Sequence, residues 1–179
     1  MTQHNLLICR VLVILSGAIW LGGLTFYASV VIPMAHGVLG SHTTVGFITQ
    51  QVTGWINVAA VIALVVFLVN VIVTRSAQPL RLRIILWAAW ALMALLQASL
   101  FVLHPMLDRL LDAKALAILD PEQFYFLHQI YLIGTSIQLF AALAFLVCVL
   151  AVWRRQDMLE FERTSLHSSR GTPASQQGL

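Results

Sequence analysis

The sequence predicts an all-α integral membrane protein, an antiparallel bundle of four transmembrane helices with both termini in the cytoplasm. Three observations carry that expectation. The 179-residue chain is 60% hydrophobic and only 9% charged, whereas soluble domains carry roughly a quarter charged residues. No Asp, Glu, Lys or Arg occurs between Arg10 and Arg75, and two further uncharged stretches run from Ile84 to Leu107 and from Gln123 to Trp153. Crossing the hydrocarbon takes about 20 apolar residues at about 1.5 Å rise each. The first stretch therefore holds two spans and the others one apiece.

The elements follow in order. Span one covers about residues 6–33, with Pro33 marking its exit. Its apolar run from Val11 to Ile32 is longer than a signal-peptide core, and no A-x-A site ends it, so it reads as a retained span. Met34 to Val52 is rich in Gly, Ser, Thr and Gln and reads as an outer loop. Span two covers about 53–74. Arg75 to Arg83 is short and basic and contains Pro79, which makes a tight turn. Span three covers about 84–104. Beyond it, Leu107, Leu110, Leu111 and Ile118 have the spacing of an amphipathic helix lying at the interface or continuing span three. Asp120 is a suitable N-cap, with Pro121 at the first helical position, so span four covers about 123–153. The spans make one domain, 1–156. Residues 157–179 form a polar tail with too little apolar content to fold alone, and disorder is expected there.

Orientation comes from counting Lys and Arg. With four spans, Arg10, Arg75, Arg81, Arg83, Arg154, Arg155, Arg163 and Arg170 share the side of the termini, against Arg109 and Lys114 opposite. Cytoplasmic loops carry the excess of positive charge, so both termini are expected inside, in the cytoplasmic membrane if the source is bacterial. The basic residues sit at membrane edges rather than on one face, which excludes nucleic-acid binding. The lipid bilayer is the expected surrounding. Lipid supplies little drive for helix association, so small residues should mark the helix contacts. Ala18 and Gly22 offer such a pair, and Ala91, Ala94 and Ala98 line up with Trp87. The same faces could serve a second copy or another membrane protein.

Candidate chemistry gathers on the outer side. His36 and His42 fall in the first outer loop, His104 at the end of span three, and His128 two turns into span four. Met34 stands beside His36, and Met106 beside His104. Thioether with imidazole suits copper, Cu(I) above all, and Asp108 and Asp112 could add oxygen ligands. His128, projecting from within a span, is the candidate haem ligand. Against these readings, histidine is an ordinary interfacial residue. The polar residues within spans, Asn57, Asn70, Gln97 and Gln138, are all neutral, so an ion-coupled pump lacks its usual parts. The common nucleophile, phosphate-loop, dinucleotide and HExxH motifs do not occur, and Cys9 and Cys148 are too few for a disulfide framework.

The stretches SGAIWLGGLTFYASVVIP and FYFLHQIYLIGTSIQLFAAL, separated by a small outer loop, resemble four-span proteins of the transmembrane-protein-205 type. Their bacterial relatives are grouped as domain of unknown function 4149. The resemblance spans roughly residues 10–153 and implies a four-helix membrane fold without a settled activity. That family tends to place Asn seven residues after the histidine of its last span; this chain has Thr135 there. The shorter IWLGG, Ile19 to Gly23, is similar to copper-resistance-D-type membrane domains. Three readings follow: a structural or interaction protein of the membrane without turnover, a copper-handling protein, and a haem-binding oxidoreductase. The first is favoured.

Overall fold

A computed structural model describes residues 3–112, 115 and 117–170. Among them, four helices are long and apolar enough to cross a membrane: His4–Leu39, Thr43–Val73, Leu80–Asp108 and Pro121–Ser165.

The first is composite. Helices α1 (Gln3–Gly17), α2 (Gly23–Phe26) and α3 (Ile32–Leu39) are joined by two π-helical turns, Ala18–Gly22 and Tyr27–Val31. Each wide turn carries a buried aromatic, Trp20 in one and Tyr27 in the other. Pro33 lies inside the rod rather than ending it, which corrects the expected exit. Proline has no N–H for the preceding turn, and the ladder departs from i→i−4 bonding just before it. The rod stops at Gly40, whose left-handed φ of 62° suits glycine, and its N–H bonds the His36 carbonyl at 3.1 Å.

Ser41 then caps α4 (His42–Val73), its hydroxyl accepting from Thr44 N–H at 3.3 Å. The expected loop from Met34 to Val52 thus shrinks to two residues, Gly40 and Ser41. Its Gly, Ser and Thr proved compatible with helix because hydroxyls bond back to the preceding turn, as Thr49 does to the Val45 carbonyl at 2.8 Å. After a short 3-10 turn, Arg75–Ala77, α5 (Leu80–Asp108) returns. The interfacial helix expected over 106–119 does not form. Leu111–Asp112 (β1) pairs antiparallel with Ala117–Ile118 (β2) instead, and the Asp112 carboxylate accepts from Ala115 N–H at 3.1 Å. A short polar side chain that bonds the backbone locally favours a turn over a helix.

Asp120 does cap the last helix, accepting from Gln123 N–H at 3.0 Å. This helix, α6 (Pro121–Arg170), runs without a break through the boundary set at 156. The tail expected to be disordered is therefore helical to Arg170, because Arg, Gln, Met, Leu and Glu are all good helix formers. Residues 171–179 lie outside the described residues.

The helices alternate in direction. At one end, the terminal end, Arg10 of α1 meets Asp157 of α6 at 2.7 Å and lies 5.5 Å from the Trp153 ring centre. Trp153 Nε1 donates to Asn70 Oδ1 of α4 at 3.0 Å. In the middle, Phe67 packs between Trp20 and Phe145, with ring centres 6.4 and 5.0 Å away. Leu100, Leu107, Leu127 and Tyr131 close the opposite, distal end.

The packing face of α5 differs from the alanine stripe that the spacing suggested. Leu86, Met93, Gln97, Leu100 and Leu107 are buried, while Ala91 and Ala98 face outward. Gln97 decides this. An amide turned to hydrocarbon without a partner costs several kcal/mol, of order 4 or more in an alkane-like medium; an alanine there costs nothing.

Candidate functional site

The bundle holds two polar assemblies of different character. The first is internal. Gln138 Nε2 of α6 donates to Gln97 Oε1 of α5 at 2.9 Å and to the Met93 carbonyl at 3.2 Å. Gln97 Nε2 donates to Asn57 Oδ1 of α4 at 3.2 Å, and Asn57 Nδ2 donates to the Tyr131 hydroxyl at 3.0 Å. One amide from each of three helices is thereby satisfied without water. All three amides are buried. It is a fastening, not a site.

The second assembly is open. Toward the distal end, α4 and α5 separate around a groove of about 350 Å³ lined by Gln50, Gln51, Gly54, Trp55, Val58, His104 and Asp108. Two turns of α4 supply one wall. On the other, His104 and Asp108 stand one turn apart, an i,i+4 pair on the same face. His104 Nδ1 lies 3.0 Å from Asp108 Oδ2. His104 Nε2 lies 3.2 Å from the Gln50 carbonyl and 3.4 Å from the Thr53 hydroxyl. Both ring nitrogens are therefore engaged, Nδ1 within α5 and Nε2 across to α4, and the ring meets Tyr131 in an edge arrangement with centres 6.4 Å apart. A Cβ on Gly54 would lie 3.9 Å from Nε2, at ordinary van der Waals distance, so Gly54 borders the ring without being required by it.

Asp108 keeps a third of its side chain exposed, and His104 a fifth. Trp55 is 75% exposed. The groove thus passes from a carboxylate and two amides near its distal end to indole and valine toward the bundle centre. No lysine or arginine is among its lining residues.

The residues expected to carry chemistry separate into three places. Met34 and His36 stand on α3, Met34 63% exposed and His36 half-buried. His42 begins α4. Met106 follows the groove on α5 and is 39% exposed. His128, half-buried, stacks flat on Phe124 with ring centres 5.8 Å apart and planes 6° from parallel. Among the described residues, no three or more His, Cys, Asp or Glu side chains gather as a metal ion would require. Copper at His104 would also have to displace Asp108 or Gln50 from the imidazole. The metal reading by Met34, His36, His42, His104 and Met106 therefore finds no support, and His128 stacks on an aromatic ring as a core histidine does.

Sequence reasoning named His104 and Asp108 but not their pairing, although the spacing of four was available. Gln50, Gln51, Gly54 and Trp55 carried no signal, because they lay in a segment read as loop or as plain span. Comparison with protein-family models, curated proteins and solved structures finds no match for this chain.

Proposed function

We propose that this chain is a multi-pass membrane protein that acts by binding an amphiphile, not by turnover, with both termini in the cytoplasm. The observation that supports it is the open groove between α4 and α5, where a braced His104–Asp108 pair adjoins an exposed Trp55. Pockets that take small molecules are largely preformed, mostly apolar, and carry a few fixed polar groups. This groove has those parts, at roughly the lower end of the usual 300–1,000 Å³ range. Its polar-to-apolar gradient runs along the helices, the direction in which a bilayer amphiphile lies.

The orientation rests on eight Arg on the side of the termini against Arg109 and Lys114 on the other. It puts the groove at the outer leaflet. An interaction role without turnover also agrees with the internal amides, which are neutral, buried and bonded to one another.

The test is photolabelling in nanodiscs with three alkyl probes sharing one diazirine-bearing tail and headed by amine, alcohol or carboxylate. At least one probe should label residues 50–58 and 104–108 above the other lipid-facing surfaces and be competed away by its unlabelled parent. Even labelling of every span by all three, without competition, would end the reading.

A further inference from the structure

The groove's own chemistry selects a head group. We infer that it takes an ammonium-headed amphiphile, with Asp108 pairing the cation, Trp55 offering its ring face, and the tail following Val58 along α4. The inference rests on the binding reading above and adds the ligand class.

Three features argue for a cation. The carboxylate of Asp108 is partly exposed and uses one oxygen, Oδ2, on His104. A carboxylate offers acceptor sites only, so Oδ1 can take a donor such as an ammonium. Second, the imidazole that would have offered N–H to an anion or carbonyl is already committed at both nitrogens, to Asp108 and to Gln50 or Thr53. An anionic head would therefore meet the Asp108 carboxylate with no lysine or arginine among the lining residues and no unengaged imidazole nitrogen to receive it. Third, Trp55 stands 75% exposed on the same groove. Tryptophan is the strongest of the aromatic partners for a cation within about 6 Å of the ring, at roughly 0.5–2 kcal/mol. A carboxylate from α5 and an indole from α4 line one groove and would supply two sides of an ammonium site. The amides of Gln50 and Gln51 add carbonyl oxygens able to accept from a primary amine.

The tail side is equally specific. Val58 lies one turn beyond Gly54 on α4, and the residues outward of it, Val61, Ile62 and Val65, are exposed and apolar. An alkyl chain leaving the groove toward the bundle centre meets hydrocarbon surface throughout. A compact, fully water-soluble amine would forgo that contact.

The same three probes test the class. The amine-headed probe should label residues 50–58 and 104–108 about tenfold more than the alcohol, the range set by one charge-assisted contact plus an aromatic face; the carboxylate should label least. Asp108→Asn should remove the preference while leaving the alcohol's labelling in place. Trp55→Leu, on an exposed side chain, should lower the amine's labelling several-fold without altering the melting temperature. If the groove is labelled best by the carboxylate or equally by amine and alcohol, the ammonium assignment fails while the binding reading stands. An amine preference that survives Asp108→Asn fails it as well. Competition by brain-type phosphatidylethanolamine vesicles against competition by octylamine identifies the source as a lipid head group or a free amine.

Discussion

Asn57 and Tyr131 stand 74 residues apart in the chain and share a hydrogen bond in the bundle, the Asn57 amide donating to the phenol at 3.0 Å. The same Asn57 accepts from Gln97 through Oδ1 at 3.2 Å. Gln97 likewise joins two helices, through Asn57 and Gln138, but each of its neighbours has a further partner.

Asn57→Leu should accordingly destabilise the bundle more than Gln97→Leu. The first strands Gln97 Nε2 and removes a partner from Tyr131, a cost of about 1–3 kcal/mol. The second leaves Gln138 Nε2 its bond to the Met93 carbonyl and leaves Asn57 Oδ1 the Tyr131 hydroxyl at 3.4 Å. Interhelical bonds in membranes average about 0.6 kcal/mol, so its cost should stay under about 1 kcal/mol. Unfolding in mixed micelles, titrated with a denaturing detergent, measures both; the reverse order would show that the chain of amides is not what fastens α4 to α6.

The terminal end offers a parallel contrast. Arg10 and Asp157 form a forked pair, but Asp157 is largely exposed. Asp157→Asn should cost no more than about 1 kcal/mol, the usual ceiling for exposed pairs. Asn70→Leu strands the Trp153 indole N–H, buried at 3.0 Å from Asn70 Oδ1, and should cost about 1–3 kcal/mol. Thermal denaturation followed by tryptophan emission separates the two.

Two glycines of the first rod should respond oppositely to larger side chains. A Cβ on Gly17 would lie 3.4 Å from Phe67 Cζ and 3.7 Å from Leu146, so Gly17→Leu forces α1 away from α4 and α6. A loss of about 1–3 kcal/mol is expected from such overpacking. Gly22 has nothing within 4 Å of an added Cβ, and Gly22→Ala should be neutral or gain up to about 1 kcal/mol through helix propensity. Melting temperatures of the two variants in one detergent decide the point.

Orientation is tested by labelling single cysteines in a background where Cys9 and Cys148 are alanine. Ser41→Cys and Leu119→Cys, at the distal end, should react with a membrane-impermeant maleimide added to intact cells. Arg81→Cys, at the terminal end, should react only after permeabilisation. Labelling of Arg81→Cys in intact cells, with Ser41→Cys protected, would reverse the proposed topology.

Number and order of long apolar helices were legible along the chain, because the cost of burying charge in hydrocarbon is a property of each residue by itself. Runs free of Asp, Glu, Lys and Arg located all four helices, and Asp120 with Pro121 located the start of the last. What failed were the ends. Met34 to Val52 looked like loop by composition but is helix on both sides of Gly40, and Met106 to Leu119 had helical spacing, yet the helix ends at Asp108 and Leu111–Asp112 pairs with Ala117–Ile118 as strands. Both depend on backbone bonds that hydropathy does not weigh: hydroxyls returning to their own turn, and Asp112 holding Ala115.

The sequence alone thus determined that most of this chain is helix suited to lipid, and which residues are too polar to lie unpartnered within it. Only the tertiary structure decided who their partners are. Ala91 and Ala98 gave way to Gln97 as the face of α5 because Asn57 and Gln138 stand across from it on other helices. His104 found Asp108 one turn away but needed the Gln50 carbonyl, 54 residues distant, to be held at the groove. A hydrogen bond joins two groups, and a single strand of residues states only one of them at a time.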